Sequence, residues 1–348
     1  VVLEEVYTFK LRRSLEISKR CPSSNYSDPD IGSPSVLTPA KNKDHVHAFD
    51  RYEIDSLIGS GTYGDVFKGR DKLTNQVVAL KRLKFLSCFK ELEEGFPKLM
   101  LREIRAMKLL RSKHLLPLEA IVEGEHSKLA LRLPLCQCSL YDRIHEKESF
   151  TKEKTAAIMR QLLSALHDMH KHNFVHRDVK PTNCLFLKNK LHLSDFGSTR
   201  PIGEVEGSPN VQTLSYRAPE LLLGGTKHAP PMDLWSAGCI LYELLVGEPA
   251  FPGTGELIVL GMMFDKLGIP STHEWPDLIH LSGAAHFHFS KDPSPSKLAS
   301  FLNTLHCPPH YSLDDWQQAI HLVCSLMVYN PSSRLTALKA LDHPFLAS

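Results

Sequence analysis

The spacing of hydrophobic and polar positions divides the chain into three regions. Residues 52–134 carry short apolar runs that predict β-strands, together with one pattern that predicts a helix. Residues 140–346 carry apolar positions at mainly helical spacing, and residues 156–171 are a clear amphipathic example. Residues 1–48 are predicted to be a disordered N-terminal extension. No internal repeat interrupts this order.

The elements of the second region can be placed individually. The helix is predicted over residues 101–110, with Leu101, Ile104 and Leu109 facing inward at roughly helical spacing. The predicted strands include residues 52–54, 65–68, 78–81 and 129–133.

The composition of the extension differs from that of the other two regions. Residues 21–40 hold four prolines, five serines and few large apolar residues, which predicts disorder. Residues 7–20 carry five basic side chains. These could form a docking or targeting segment, but a charge cluster is usually a solvated surface, and we favour a solvated tail.

Overall composition bounds the class of protein. A chain of 348 residues with 42% hydrophobic residues can bury one large core or two moderate ones. The formal net charge of +2 argues against nucleic-acid and membrane partners, and no apolar run approaches the roughly 20 residues of a membrane span. The eight cysteines lack metal-type spacing and predict reduced thiols inside a cell, in the nucleus or the cytoplasm. The first residue is Val1 rather than methionine, as in a fragment.

Two short segments of the helical region carry the candidate chemistry. Residues 176–183 read HRDVKPTN, and residues 195–197 read DFG. In such a pair, Asp178 is placed to accept a hydroxyl proton, while Asn183 and Asp195 supply ligands for a metal ion. The order and separation of the segments therefore predict a phosphoryl-transfer centre.

A glycine-rich segment, GSGTYGDV, lies upstream at residues 59–66. Strands are predicted on both sides, so the glycines lie in a hairpin, whereas a dinucleotide-binding turn would lead from a strand into a helix. Glycine lets the backbone approach phosphates without a clashing Cβ atom. Lys81 on the third strand is suited to the α- and β-phosphates, and Glu103 on the predicted helix is the candidate carboxylate that anchors it.

With these motifs the sequence resembles the protein kinase family over residues 52–346, and within it most closely the cyclin-dependent kinases and their CMGC relatives. The APE of residues 218–220 and the DLWSAG of residues 233–238 also match the family pattern, as do Arg217 and Arg334. The resemblance implies that Arg334 and Glu220 form a buried structural ion pair, and that His176 packs and hydrogen-bonds without acting as the base.

The resemblance implies an α+β, bilobal protein kinase fold. A small antiparallel-sheet lobe with one regulatory helix is expected over residues 52–134, a hinge over residues 134–139, and a large, mainly helical lobe over residues 140–346. Residues 95–103, GFPKLMLRE, are similar to the cyclin-docking helix usually written PSTAIRE. The proline, arginine and glutamate match, so the resemblance suggests a cyclin as a partner at residues 97–103, beside the protein substrate. The central KLML does not match, so the identity of the cyclin and the need for one stay open.

The implied cofactors are ATP and Mg²⁺, with ATP at the seam between the lobes. Leu133 falls at the position that guards the back pocket, Pro134 offers only its carbonyl to adenine, and Cys136 supplies the next N–H and carbonyl. The positions that match ATP contacts are Ile58, Gly59, Ser60, Gly61, Thr62, Tyr63, Gly64, Val66, Ala79, Lys81, Glu103, Leu133, Pro134, Cys136 and Leu185. The implied catalytic residues are Lys81, Asp178, Lys180, Asn183 and Asp195, with Asn183 and Asp195 as the metal ligands.

Three arginines match a cluster that binds a phosphate in the activation segment of cyclin-dependent kinases. They are Arg102, Arg177 and Arg200, and Ser208 falls on the position of the phosphorylated residue. A phosphoserine adds about −2 charge and three acceptor oxygens, which would hold three guanidinium groups together. Thr62 and Tyr63 match inhibitory phosphorylation sites, and unmodified loop residues are an equal interpretation.

The segment before APE carries the specificity signals. Arg217 is typical of kinases that prefer proline after the target residue, because it holds a backbone carbonyl near Val211 away from the substrate. Proline lacks the N–H that would need this carbonyl, whereas other residues bury an unpaired donor at about 1–3 kcal/mol. Thr213 is expected to bond Asp178 and Lys180, which suits serine and threonine targets. Ser215 stands where an aromatic residue is usual.

Two alternatives stay open at this point. The DFGS of residues 195–198 and the GSPNV of residues 207–211 also resemble glycogen synthase kinases, in which the arginines bind a phosphate on a primed substrate and Ser208 would need no modification. The second alternative is a kinase-like fold that serves as an inactive scaffold, but inactive relatives usually lose a metal or lysine position, and here all are present.

Overall fold

The computed structural model describes residues 46–61, 64–83, 98–123, 129–203, 212–292 and 296–347, which belong to one compact unit. Most of the predicted extension, up to residue 45, lies outside these ranges. Five residues that the sequence singled out also lie outside them: Thr62, Tyr63, Pro97, Ser208 and Val211.

A six-stranded sheet forms the first part of the described chain. Its strands are β1 (Val46–Ala48), β2 (Tyr52–Ser60), β3 (Gly64–Asp71), β4 (Val77–Leu83), β5 (Ala120–Glu123) and β6 (Leu129–Pro134). They lie in the order β1-β5-β6-β4-β3-β2, and neighbouring strands are antiparallel except for the parallel pair β1–β5. The two central strands, β4 and β6, are buried over most of their length, which explains their nearly continuous apolar sequence.

Strand β1 corrects the predicted boundary of the extension. Residues 46–48 were expected to belong to the disordered segment, but their backbone pairs with β5, Val46 lying opposite Ile121. Three residues are too few for a periodic pattern, and an added edge strand is stabilised by main-chain hydrogen bonds rather than by its side chains. The sequence pattern therefore could not show it.

Helix α1 (Lys98–Leu109) accompanies the sheet, as expected, and packs against the 3₁₀ turn Phe196–Ser198. Ile104 and Met107 are buried in the main core, but Leu109 is 51% exposed, so its predicted inward orientation was wrong. At 3.6 residues per turn, Leu109 lies about 140° around the axis from Ile104. The buried face instead continues through Leu110, just beyond the helix.

Helices form most of the second part of the chain. They are α2 (Leu140–His145), α3 (Lys152–Lys171), α4 (Pro219–Leu222), α5 (Pro230–Val246), α6 (Glu256–Leu267), α7 (Leu298–Thr304), α8 (Leu313–Leu326) and α9 (Ala337–Leu341). The predicted amphipathic helix is α3, which begins at the N-cap Thr151 and buries its apolar face. Helix α5 is buried on nearly all sides and ends at Gly247, whose φ of +87° favours glycine.

Five short strands, one just before α2 and four between α3 and α4, position the candidate chemistry. They are β7 (Cys138–Ser139), β8 (Phe174–Val175), β9 (Cys184–Leu187), β10 (Lys190–Leu193) and β11 (Arg200–Pro201). Strands β7, β9 and β10 form one sheet, and β8 pairs with β11. The segment with Asp178 joins β8 to β9, and the segment with Asp195 joins β10 to β11. Both segments therefore lie on the same side of these pairings.

The predicted ion pair between Arg334 and Glu220 is present and buried. Both nitrogen–oxygen distances of this bidentate pair are 2.9 Å, so it fixes α4 to the segment before α9. In the described ranges the cysteines are free thiols: Cys136, Cys138, Cys184, Cys239, Cys307 and Cys324. Of the helices in those ranges, none combines the length and apolar character that a membrane crossing requires.

Candidate active site

Lys81 lies at the centre of a three-residue charge cluster in which Lys81 and Glu103 are buried and Asp195 is half-buried. Its Nζ atom lies 2.6 Å from Glu103 Oε1 and 2.7 Å from Asp195 Oδ1, so the expected Lys81–Glu103 pair is present. Burial alone would lower the pKa of the Lys81 amine, but the attraction of Glu103 and Asp195 outweighs it and raises the pKa above its usual value. Lys81 is therefore a permanent cation that joins β4, α1 and the segment after β10.

Asp195 is held by its backbone as well as by its charge. Its φ of +61° places it in the left-handed region, directly before the 3₁₀ turn Phe196–Ser198. Phe196 is buried and contacts the His176 ring edge-on at 5.8 Å. Burial acts to raise the pKa of the Asp195 carboxyl, but Lys81 outweighs this effect and lowers the pKa below its usual value. Asp195 is thus an anion fixed towards Lys81.

The segment after β8 forms a compact hydrogen-bonded loop around Asp178. Asn183 donates from Nδ2 to the Asp178 backbone oxygen at 2.8 Å and to its Oδ2 at 3.1 Å. Lys180 Nζ lies 2.7 Å from the same Oδ2. Thr213 donates to the other oxygen, Oδ1, from its backbone N at 3.3 Å and its hydroxyl at 3.2 Å, and accepts from Lys180 Nζ at 2.9 Å. These contacts match the expectation for Thr213 and fix the orientation of the Asp178 carboxylate.

The buried side chains of Asp233 and His176 hold the backbone of this loop in place. Asp233 on α5 accepts hydrogen bonds from the backbone N atoms of His176 and Arg177, both at 2.9 Å, and lies 2.9 Å from His170 Nε2. The His176 ring accepts from Asp178 N at Nδ1, so its Nε2 carries the proton and donates to the Ser194 oxygen at 2.9 Å. His176 is therefore a structural residue, as expected. The role of Asp233 was not predicted, although its motif was recognised.

Most of the predicted adenine contacts belong to one apolar cluster. Ala79 and Leu133 are buried and lie opposite each other on β4 and β6, and Val66, Cys136 and Leu185 pack against the same core. Pro134 pairs with Val78 at the end of β6. Burial raises the pKa of the Cys136 thiol to about 11, so this side chain is an apolar contact rather than a nucleophile. Ile58 is 48% exposed on β2.

The residues present fit ATP and Mg²⁺. The Asp195 carboxylate and the Asn183 amide supply oxygen donors, and a magnesium site completed by phosphate oxygens and water needs only one or two carboxylates. No group of three or more potential His, Cys, Asp or Glu ligands occurs in the described parts of the chain. At Gly64 in the glycine-rich segment, a Cβ atom would lie 2.6 Å from the Arg82 carbonyl oxygen, so this close backbone approach requires glycine.

Comparison with known proteins identifies the family. Residues 52–346 match the family model described as "Protein kinase domain". The chain belongs to the protein kinase family. Its bilobal fold, with a sheet-based small lobe and a helical large lobe, is the kinase fold, and the predicted limits of the match agree with the observed ones.

The relatives of this kinase refine the assignment. It is 36% identical to "Serine/threonine-protein kinase ppk23" of Schizosaccharomyces pombe, over 86% of this chain and 73% of the relative. It is 33% identical to "Cyclin-dependent kinase 7" of Dictyostelium discoideum, over 86% and 80%. It is 34% identical to "Cell division control protein 2 homolog 1" of Trypanosoma brucei brucei, over 85% and 98%. The protein is a CMGC-type, cyclin-dependent-like serine/threonine kinase, and the family's general use of ATP and Mg²⁺ agrees with the residues of its site.

The three candidate phosphate-binding arginines of the kinase lie in different elements. Arg177 and Arg200 are buried, and Arg102 on α1 is half-buried. Arg200 donates from Nη1 to the backbone oxygens of Thr199 at 2.8 Å and Gly197 at 3.3 Å. Ser208 lies outside the described residues. Convergence of the three arginines on a phosphate there stays a prediction.

Arg217 holds a backbone carbonyl, as the sequence predicted. Its Nη2 atom donates to the Gln212 oxygen at 2.9 Å, and its Nη1 atom lies 2.6 Å from Glu256 Oε1 on α6. Gln212 has a φ of +69°, a conformation that costs a non-glycine residue on the order of 1 kcal/mol. The sequence placed this carbonyl near Val211 but gave Gln212 and Glu256 no role. The only available signal for Gln212 was its position five residues before Arg217.

Proposed function

We propose that this kinase is proline-directed, depends on a cyclin-like partner, and is controlled by phosphorylation of Ser208. The observation that carries the substrate preference is the bond from Arg217 to the Gln212 carbonyl, together with the left-handed backbone of Gln212. A carbonyl held in this way cannot accept the N–H of the residue that follows the target serine or threonine. Proline has no N–H and loses nothing at this position, whereas any other residue buries an unpaired donor.

The chemistry assigned to each side chain follows from its contacts. Asp178, oriented by Thr213 and Lys180, positions the substrate hydroxyl and takes its proton. Lys180 neutralises negative charge that develops on the transferred group. Lys81 binds the α- and β-phosphates of ATP, and Glu103 keeps its amine in place. Asp195 and Asn183 would hold Mg²⁺, which would supply positive charge to offset the negative charge of the phosphates.

Control by a partner follows from the position of Glu103. This residue lies on α1, which packs on the turn after Asp195, so the position of the helix decides whether the Lys81–Glu103 pair can form. The segment that carries it resembles a cyclin-docking helix, and two relatives carry "cyclin-dependent kinase" in their names. A cyclin-like protein at residues 97–103 and a phosphate on Ser208, bound by Arg102, Arg177 and Arg200, would stabilise the active position of α1.

The test measures phosphate transfer from ATP–Mg²⁺ to paired Ser-Pro and Ser-Ala peptides, with and without cyclin candidates, with Asp195→Asn as the blank. We expect transfer to Ser-Pro peptides only, raised by a cyclin. Cyclin-independent transfer that needs a phosphate already on the peptide would favour a glycogen synthase kinase-like function, the alternative that the DFGS and GSPNV segments support. Absence of transfer from a folded protein under every condition would argue for a scaffold.

A further inference from the structure

The side chain of Gln212 makes contacts that the proposed chemistry does not use. It is 8% exposed, and its amide lies between α5 and the start of α4. Nε2 donates to Ser236 Oγ at 2.9 Å and to the Met232 oxygen at 3.3 Å, and Oε1 accepts from Ala218 N at 3.0 Å. Both hydrogens of the amide and its oxygen are therefore satisfied inside the large lobe.

These bonds fix the same residue whose carbonyl Arg217 binds. A left-handed backbone is unfavourable for glutamine, so something must hold it there. Arg217 holds the carbonyl from one side, and Arg217 is itself tied to Glu256. From the other side, the amide ties Gln212 to α5, which is buried on nearly all sides. Ser236 extends this link, since its hydroxyl also lies 2.8 Å from the Tyr216 oxygen.

We propose that Gln212 is a positioning residue for substrate specificity: its side-chain amide clamps the left-handed turn that points its own carbonyl at Arg217 and away from the substrate. This inference rests on the proposed proline preference and assigns part of it to a new residue. An apolar side chain of the same length would remove the acceptor of the Ala218 N–H and the donor to the Ser236 hydroxyl. The turn could then relax, and its carbonyl could accept the N–H of a residue other than proline.

The experiment compares kcat/KM for three peptides that differ only after the target serine, which is followed by proline, alanine or N-methylalanine. N-methylalanine lacks the N–H but has no proline ring, so it separates the two features. In the unchanged kinase, proline and N-methylalanine should both be preferred over alanine. In Gln212→Met, the preference of each over alanine should fall about tenfold, the usual effect of one buried unpaired group.

Two further variants make the result specific. Gln161→Met is the matched control, because Gln161 also accepts a backbone N–H, that of Leu191 at 2.6 Å, but lies on α3 away from this segment. It should keep the preference of the unchanged kinase. Ser236→Ala removes a partner of the amide without changing Gln212 and should shift the preference in the same direction, so it serves if Gln212→Met does not fold.

The possible outcomes distinguish a failure of the proposed role of Gln212 from a failure of the proposed proline preference. General loss of structure would lower kcat/KM for all three peptides equally and leave their ratio unchanged. A strong preference for proline that survives in Gln212→Met and Ser236→Ala would overturn the role of Gln212 alone. Equal use of the three peptides by the unchanged kinase would overturn the proline preference, and with it the role of Gln212 in that preference.

Discussion

Two buried charge clusters of this kinase are built in opposite ways. The Lys81 cluster joins three separate parts of the chain: β4, α1 and the segment after β10. The Asp233 cluster lies inside the large lobe, on a helix that is buried on nearly all sides. The first holds the residues that we propose to bind the phosphates and metal of ATP–Mg²⁺, and the second holds the backbone of the loop that carries Asp178.

This difference in construction shows which cluster can regulate the activity of the kinase. A cluster that bridges separate elements can be broken by a small movement of one of them, without unfolding the rest. A cluster inside a packed lobe can be broken only with that lobe, because its partners are backbone groups in the core. The Lys81 cluster should therefore govern activity with little effect on stability, and the Asp233 cluster should govern both.

The largest effect is expected from Asp233→Ala. The substitution leaves the backbone N–H groups of His176 and Arg177 unpaired and removes the partner of His170. Each buried donor without a partner costs about 1–3 kcal/mol, so the free energy of unfolding should fall by about 3 kcal/mol or more. Peptide phosphorylation should fall as well, because the loop around Asp178 loses its support. Urea unfolding and a peptide kinase assay measure the two effects.

The matched control is Asp277→Ala, which removes an exposed aspartate from the large lobe. It should change the free energy of unfolding by less than about 0.5 kcal/mol. If Asp233→Ala were as stable as this control, the Asp233 cluster would not stabilise the large lobe as we expect.

A smaller effect, confined to activity, is expected from Glu103→Gln. The glutamine can still accept a hydrogen bond from Lys81, but the attraction between charges is lost. A hydrogen bond that involves a charged group is worth about 1.5–3 kcal/mol, which corresponds to a fall in kcat/KM of roughly 10- to 150-fold. Stability should change by less than about 1 kcal/mol, because Asp195 still pairs with Lys81 and one buried charge no longer needs desolvation.

The control for this substitution is Glu53→Gln on β2, which removes an exposed carboxylate from the same lobe. Its kcat/KM should match that of the unchanged kinase. If Glu103→Gln lowered the free energy of unfolding as well as kcat/KM, the Lys81 cluster would govern both stability and activity, as we expect of the Asp233 cluster.

The parts of the site that the sequence predicted are those with short, fixed spacing. Asp178, Lys180 and Asn183 lie within six residues, so one loop conformation brings them together, and Lys81 and Glu103 each belong to an element that periodicity predicts. The strand-rich and helical regions were predictable because the spacing of apolar positions separates strands from helices, and the bilobal fold was implied by the resemblance that the motifs carry.

What the sequence could not show depends on tertiary contacts. The amide of Gln212 forms its hydrogen bonds only because α5 lies beside it, and no local sequence pattern predicts that α5 lies there. Strand β1 depends on the free edge of β5, and Leu109 is exposed because the buried face of α1 is set by the core that it meets. Asp233 was visible as part of a motif, but its three partners lie more than fifty residues earlier.

The smallest effect concerns the far end of the large lobe and depends on pH. His343 caps the 3₁₀ turn Pro344–Leu346 and lies 2.7 Å from His321, and its pKa is lowered from 6.5 by burial and then by His321. The unfolded chain therefore binds a proton more readily than the folded one. Stability should be fully present above about pH 6.5 and fall as the pH drops below it, by at most about 1.4 kcal/mol per pH unit for one histidine.

His343→Asn tests this contribution, because asparagine can cap the turn but does not titrate. Its free energy of unfolding, measured in urea between pH 7.5 and 5.5, should depend less steeply on pH than that of the unchanged kinase. Some dependence should remain, because burial also lowers the pKa of His114. Thr336→Asn, which exchanges the N-cap of α9 without removing a histidine, should keep the original slope. An unchanged slope in His343→Asn would show that the folded lobe accepts the proton on His343 without cost, and that this end is less rigid than the Asp233 cluster.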